Sequence, residues 1–313
     1  MKILINTGGL SNGDIDFSEF EKLGEVTYVG ETAREEYIKL ARESEVILVN
    51  KIIVDKELLS ACPKLKYVGV FATGYNYIDT KECERRGITV CNVPDYSTRS
   101  VSQHVFALLL TLYGNTEKYI NSVKAGDWIN SKSFTYFPWQ TRELYNKTFG
   151  VYGYGSIGKA AAKIAEAFGM NVIVCTRTFP ENCPYRVVSK EEIFKESDVL
   201  SLHCPMTEET RELVNEKTLS LMKRDAVLIN TARGGLVNEA DLAKALNSGR
   251  LAGAGLDTVS EEPMLKDNPL RLAKNCIITP HVAWVADETR SRLVHLAAEN
   301  LKMFLNGTPI NKV

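Results

Sequence analysis

Apolar residues fall along this chain in short β-branched runs, separated by longer stretches whose apolar positions recur at helical spacing. The first five runs are KILIN at 2, EVTYV at 25, VILVN at 46, KYVGVF at 66 and ITVCN at 88. Short apolar strands alternating with helical segments predict a parallel sheet covered by helices. The rhythm begins afresh with FGVYGYG at 149 and continues through NVIVC at 171, DVLSL at 198, AVLIN at 226, AGAGL at 252 and CIIT at 276. Two doubly wound parallel-sheet α/β domains are therefore predicted. The length of 313 residues agrees, because it exceeds what one hydrophobic core usually organises.

Between the two series, RSVSQHVFALLLTLY (99–113) is apolar on nearly every face, as expected of a hinge helix buried between domains. Residues 114–147 carry Trp128, Phe134, Tyr136, Phe137 and Trp139 without a clear strand or helix period. This stretch reads as an extended arm packed on a second subunit, or equally as a loop packed on its own domain. From Asp287 an amphipathic helical pattern runs to Gly307, a good residue to end a helix.

Composition narrows the partner. Apolar residues make up 44% and charged residues 25%, and 38 basic side chains against 39 acidic ones give a net charge of -1. Nothing there favours nucleic acid or an anionic membrane, so a small molecule is the expected ligand. The seven cysteines are odd in number and contain no C-x-x-C, which argues against a disulfide framework and against a zinc site; no metal is expected. MKILIN reads as a strand and no run of about eighteen apolar residues occurs, so a reducing, cytoplasmic setting is the expectation.

Two clusters carry chemistry. Gly153, Gly155 and Gly158 form G-Y-G-S-I-G directly after a predicted strand and at the start of a predicted helix. There the first glycine makes a tight turn, the second lets backbone approach a pyrophosphate, and the third lets helix and strand pack closely. The acid that would hold the ribose of NAD is expected about twenty residues later, at the end of the next strand. Thr176 and Arg177 stand there instead, and no acid lies between Asn171 and Pro180. A guanidinium at that place favours NADP(H), with NAD(H) still usable.

The second cluster follows the later strands: Arg233 in NTARGG, Glu262 in VSEEP and His281 in ITPH. Open parallel sheets gather ligands at their carboxyl edge, so these side chains are expected to converge. Hydride addition to a 2-keto carbon builds negative charge on the carbonyl oxygen and calls for a proton donor, which His281 can supply. A carboxylate beside it, Glu262, would stabilise the imidazolium and fix the ring. The planar fork of Arg233 can grip a substrate carboxylate and polarise the keto oxygen. His203, in SLHCP, is a rival acid without a carboxylate nearby in sequence, and His104 and His295, both within helices, read as structural.

These residues sit in segments that resemble the D-isomer-specific 2-hydroxyacid dehydrogenases over nearly the whole chain. The matching stretches are VGVFATGYNYID at 68, NVPDYSTRSVSQHVFALLL at 92, GVYGYGSIGK at 150, LHCPMTEET at 202, LINTARGGLV at 228, GLDTVSEEP at 255 and TPHVAWVADETR at 279. NVPDYST and the HVAWVADETR ending are most similar to the glycerate dehydrogenase, or hydroxypyruvate reductase, branch. The resemblance implies a Rossmann dinucleotide-binding domain, residues 98–287, inserted in a flavodoxin-like substrate domain made of 1–97 and 288–313. It also implies a homodimer and reduction of hydroxypyruvate or glyoxylate. Arg233, Glu262 and His281 fall on the family's catalytic positions. Backbone amides near Thr73 and Gly74, beside Ala72 or Phe71, would bind the substrate carboxylate, and Trp284 would wall the site. Cofactor contacts carry over to Ser156, Ile157, Cys204, Pro205, Thr210, Thr231, Ala232 and Asp257, the last on the nicotinamide carboxamide.

Thr176 departs from the NAD-type acid, and Asp95 and Arg99 stand where related sequences often have Gly and Asp. The alternatives are a corepressor-like NAD(H)-sensing binding protein, expected to carry a partner-binding surface or extension, and a dehydrogenase of the same fold for formate, phosphite or 3-phosphoglycerate. The sequence shows no added regulatory domain and no extra basic cluster beside ATGYN.

Overall fold

The computed structural model describes residues 1–178 and 182–313. The chain divides into two compact units, Met1–Ser97 with Trp284–Val313, and Thr98–Ala283.

The first unit alternates strand and helix: β1 (Lys2–Asn6), α1 (Ser18–Glu21), β2 (Glu25–Val29), α2 (Arg34–Ala41), β3 (Val46–Val49), α3 (Lys56–Ala61), β4 (Tyr67–Val70), α4 (Thr80–Arg85) and β5 (Thr89–Cys91). Its five-stranded parallel sheet has the order β2-β1-β3-β4-β5. Every residue of β3 and β4 is buried, as strands covered on both faces must be. Asp55 and Asp79 start α3 and α4 by accepting the amides of Leu58 and Glu82, which satisfies donors that a helix start leaves open.

The second unit comprises α5 (Thr98–Gly114), α6 (Thr116–Ala125), β6 (Thr148–Tyr152), α7 (Ser156–Ala167), β7 (Asn171–Cys175), β8 (Arg186–Val187), α8 (Lys190–Glu196), β9 (Val199–Leu202), α9 (Glu216–Leu221), β10 (Val227–Asn230), α10 (Glu239–Asn247), β11 (Gly253–Leu256) and β12 (Cys276–Ile278). The seven strands lie parallel in the order β12-β11-β10-β9-β6-β7-β8. The chain grows outward from β6 through β8, then crosses back and grows the other way from β9. The reversal lies between β6 and β9, the place where open α/β sheets form their ligand crevice. The chain then returns to the first unit as α11 (Asp287–Leu305), closed by Gly307 at φ 78°. Among the described residues, no helix is long and apolar enough to cross a membrane.

Three sequence expectations are modified. Residues 98–114 form a helix, but its buried Val105, Phe106, Leu108 and Leu109 belong to the core of the second unit, where Phe106 stacks on Phe149 of β6 at 5.6 Å. Its near-uniform apolarity therefore reflects core packing within that unit. The stretch 114–147 is not wholly irregular, because α6 occupies its first third between Gly114 and Gly126; Gly126, at φ 89°, ends it. The unit boundary falls after Ala283, a few residues before the expected 287. Trp284 meets Tyr96 edge-on at 6.5 Å and Arg290 Nε donates to the Val285 carbonyl at 2.8 Å, which ties 284–287 to the first unit.

Candidate active site

The glycine-rich turn links β6 to α7, and each glycine has its own reason. Gly153 adopts φ 101°, and a Cβ there would stand 2.6 Å from the Cys204 amide nitrogen. The turns after β6 and β9 thus touch at the point of sheet reversal. A Cβ on Gly158 would lie 2.1 Å from the Gly153 carbonyl oxygen, so helix and strand could not approach. Gly155 differs, since a Cβ there meets nothing within 4 Å. It caps α7 without a side-chain hydrogen bond, leaving the first amides of a twelve-residue helix to an outside acceptor. Ser156 is exposed and Ile157 half-buried on that first turn.

Around this turn lie the other expected cofactor contacts. Gly153 donates its amide to the Cys175 carbonyl at 2.8 Å, which sets the end of β7, with half-buried Thr176 and exposed Arg177, beside the glycine turn. Arg177 makes no ion pair among the described residues. Cys204 is buried, and burial pushes its thiol up to about 11. Pro205 and Thr210 belong to one small turn, in which the Thr210 hydroxyl donates to the Pro205 carbonyl at 2.8 Å. Thr231 is 9% exposed and its hydroxyl has no hydrogen-bond partner among the described residues. A buried hydroxyl left open costs free energy unless a ligand or water meets it. Ala232 is half-buried and its amide is held by the Asn230 side chain at 3.0 Å.

Arg233, Glu262 and His281 follow β10, β11 and β12, adjacent parallel strands. Asn230, fully buried, also donates to the Arg233 carbonyl at 2.8 Å and so shapes the turn that carries the guanidinium. A Cβ on Gly234 would fall 1.9 Å from the Val259 carbonyl carbon, so this turn lies directly on the loop that leads to Glu262. That loop is fastened from α10, where Glu239 accepts the Ser260 amide at 2.7 Å and the Asn268 side chain at 2.8 Å. Glu262 Oε2 stands 2.7 Å from His281 Nδ1, and its other oxygen accepts the Val259 amide at 3.3 Å. The two side chains keep 28% and 32% of their surface, enough to meet a substrate. With Nδ1 bound to the carboxylate, Nε2 is the ring nitrogen that faces away from it. Arg233 is exposed, and among the described residues its guanidinium donates only to its neighbour's carbonyl, Ala232, at 2.7 Å.

Asp257 is 1% exposed. It accepts from the Thr279 hydroxyl at 2.5 Å, the Val282 amide at 2.9 Å and the Ala283 amide at 2.8 Å. Burial alone would raise its pKa, yet hydrogen bonds from His104, Thr279 and the Ala283 and Val282 amides outweigh that and hold it below the usual carboxylate range. His104, expected to be structural, joins this network through Thr279 at 2.9 Å. The sequence signal was present but needed the fold: Ser100 and His104 are one helical turn apart, two polar residues on one side of an apolar helix. His203 is not a rival acid. Desolvation pushes it down to about 4, so it is neutral near pH 7, bonded to Ser201 at 2.9 Å. His295 pairs with Glu19 at the surface.

In the first unit, Ala72, Thr73 and Gly74 form the turn after β4. The Thr73 hydroxyl donates to the Val93 carbonyl at 2.9 Å, Asn92 donates to the Thr73 carbonyl at 2.7 Å, and the Val93 amide bonds to Ala72 at 3.0 Å. The turn is thereby held by the segment after β5, while Phe71 anchors it in the core. Trp284 is half-buried.

Residues 106–283 match the model of the D-isomer specific 2-hydroxyacid dehydrogenase NAD binding domain. The chain belongs to that family. Among curated relatives of this dehydrogenase, it is 41% identical to the hydroxypyruvate reductase of Blautia hydrogenotrophica over 100% of the chain and 99% of the relative. It is 40% identical to the glycerate dehydrogenase of Methylorubrum extorquens, covering 89% and 88% of the two chains. Two solved structures superpose closely. One is an acyclic imino acid reductase in complex with NADPH and D-Arg (TM-score 0.89, 33% identity, 100% of both chains). The other is the D-lactate dehydrogenase of Aquifex aeolicus with NAD and lactic acid (TM-score 0.83, 31% identity, 98% and 96%). The protein is a nicotinamide-dependent oxidoreductase of small 2-keto and 2-hydroxy acids. The open space at Gly155, the uncapped start of α7 and the unpartnered Thr231 hydroxyl all fit a bound dinucleotide.

The glycines give a paired expectation. Gly155→Ala should leave Tm within about 2 °C while weakening cofactor binding roughly tenfold, because its methyl group enters the pyrophosphate cradle. Gly158→Ala should lower Tm by roughly 5 °C or more, because its methyl group meets backbone. Fluorescence titration with reduced cofactor, alongside thermal melts, separates the two. Unchanged affinity in Gly155→Ala would exclude the turn as the phosphate site.

Proposed function

We propose that this dehydrogenase reduces hydroxypyruvate or glyoxylate to the D-2-hydroxy acid, with His281 as proton donor and NADPH preferred to NADH. The observation that carries the reading is the 2.7 Å contact between His281 Nδ1 and Glu262. It fixes the ring's orientation through Nδ1, which leaves Nε2 to carry a proton toward the keto oxygen. Gly153–Gly158, Thr231 and Asp257 would hold a reduced nicotinamide, which when bound would supply a hydride for the keto carbon. Arg233 grips the substrate carboxylate and draws charge toward the keto oxygen, a task suited to a guanidinium whose own contacts are few. In the first unit, the turn of Thr73 and Gly74, already held by Asn92 and Val93, offers its amides to a carboxylate. Asp257 keeps acceptor capacity on Oδ2, which among the described residues takes only the Ala283 amide, so that oxygen can also receive a carboxamide N–H.

Cofactor preference rests on Thr176 and Arg177. The end of β7 carries no acid to repel a 2'-phosphate, and Arg177, which makes no ion pair among the described residues, can bind one. Charge-assisted hydrogen bonds of about 1.5–3 kcal/mol correspond to a preference of roughly ten- to a hundredfold. Absorbance assays with hydroxypyruvate, glyoxylate and pyruvate, each with NADPH and NADH, should show turnover of one of the first two and a kcat/KM favouring NADPH. Arg177→Ala should erase that preference. Inactivity with every acid would contradict the reductase reading, and an NADH preference in the parent would contradict the cofactor reading alone.

Residues 116–147 present Ile120, Val123, Trp128, Ile129, Phe134 and Phe137 at the surface, with Phe134 88% exposed. An apolar display of this size fits an interface between two copies of the chain. Light scattering should report about twice 34.9 kDa, and Phe134→Glu should shift the mass toward the monomer; a monomer at micromolar concentration would refute the homodimer.

A further inference from the structure

His281 lies in a strained place. Its φ of 55° is left-handed, a region that residues with a side chain rarely adopt, and its amide donates to both the Asp257 and Thr279 carbonyls at 2.9 Å. Such a conformation persists only where its surroundings fix it. Asp257 fixes it from one side by accepting the Thr279, Val282 and Ala283 donors, which bracket His281 in sequence.

The other side is supplied by α5. The Thr279 hydroxyl has one proton, and at 2.5 Å from Asp257 Oδ1 that proton goes to the carboxylate. His104 Nε2, 2.9 Å from the same hydroxyl and 3.4 Å from Asp257 Oδ1, must then be the donor in its own contact. The bonds run in one direction, from His104 Nε2–H to Thr279 Oγ1–H to the Asp257 carboxylate. One helical turn earlier, Ser100 Oγ donates to the Ala283 carbonyl at 2.5 Å. The helix therefore meets both ends of the five-residue turn with a hydrogen-bond donor.

We infer that His104 is a positioning residue for His281: its Nε2–H, acting through Thr279 and Asp257, holds the Thr279–Ala283 turn so that the catalytic ring stays on Glu262. This rests on the proton-donor reading of His281. Loss of the donor does not remove any group that touches substrate. It lets the turn relax, and small misplacements of a reacting group are costly in rate.

The test uses the full-length enzyme with saturating reduced cofactor and the 2-keto acid it turns over. His104→Phe keeps a ring of similar size without the donor and should lower kcat about 10- to 100-fold, with the cofactor KM changed less than about twofold. His104→Gln restores an N–H near the Nε2 position and should stay within about threefold of the parent. Thr279→Val breaks the same chain one link later and should match His104→Phe. In a His281→Gln background, His104→Phe should lower kcat by less than a further factor of about two, since a residue acting only through His281 has nothing left to position. Parental kcat in both His104→Phe and Thr279→Val would overturn the inference, as would a full multiplicative loss in the His281→Gln background. Near-parental turnover in His281→Gln alone would instead remove the proton-donor reading beneath it.

Discussion

A carboxylate sealed from water must collect hydrogen bonds from whatever surrounds it, and Asp257 collects most of them from a single turn. Thr279, Val282 and Ala283 all point donors at it, so burying this one charge dictates the backbone path of residues 279–283. His281 sits in the middle of that path, and its left-handed backbone places the ring against Glu262. The depressed titration of Asp257 has a direct corollary. Its contribution is complete above the ordinary carboxylate range and is lost only as pH falls through the lower folded value, so the turn stays intact across the neutral range.

Sheet topology does the rest. In a parallel sheet every strand delivers its following loop to the same edge, so β6 and β9 bring the glycine turn and the Cys204 turn together where the strand order reverses. Neighbouring β10, β11 and β12 deliver Arg233, Asp257 with Glu262, and His281. The loops then brace one another: Gly234 has no side chain because the Val259 backbone occupies that space, and Glu239 anchors the loop before Glu262. Arg233, Glu262 and His281, the residues proposed for the chemistry, thus follow three adjacent parallel strands although they are far apart in sequence.

Much of this was legible in the sequence because the signals are local. Buried strands are almost wholly apolar, the glycine-rich turn has a fixed spacing in which Gly153 and Gly158 leave no room for a Cβ, and the candidate side chains follow strand ends. What escaped was weak or distant. The two-residue β8 is too short to show a period. The helix α6 is brief, with Ile120 and Val123 half exposed, so its apolar positions do not mark a core-facing stripe. His104 looked like a satisfied core histidine because its partner is 175 residues away, and only the fold shows that α5 passes beneath the His281 turn.

The role of the His281–Glu262 pair in proton transfer is tested most directly by the pH dependence of kcat/KM measured in both directions with one preparation. On the proposed mechanism, reduction consumes the proton on His281 and oxidation requires a ring able to accept one. With the pair as donor and acceptor, reduction falls as pH rises and oxidation falls as pH falls. Profiles of the same sense in both directions, or profiles unchanged in Glu262→Gln, would contradict it.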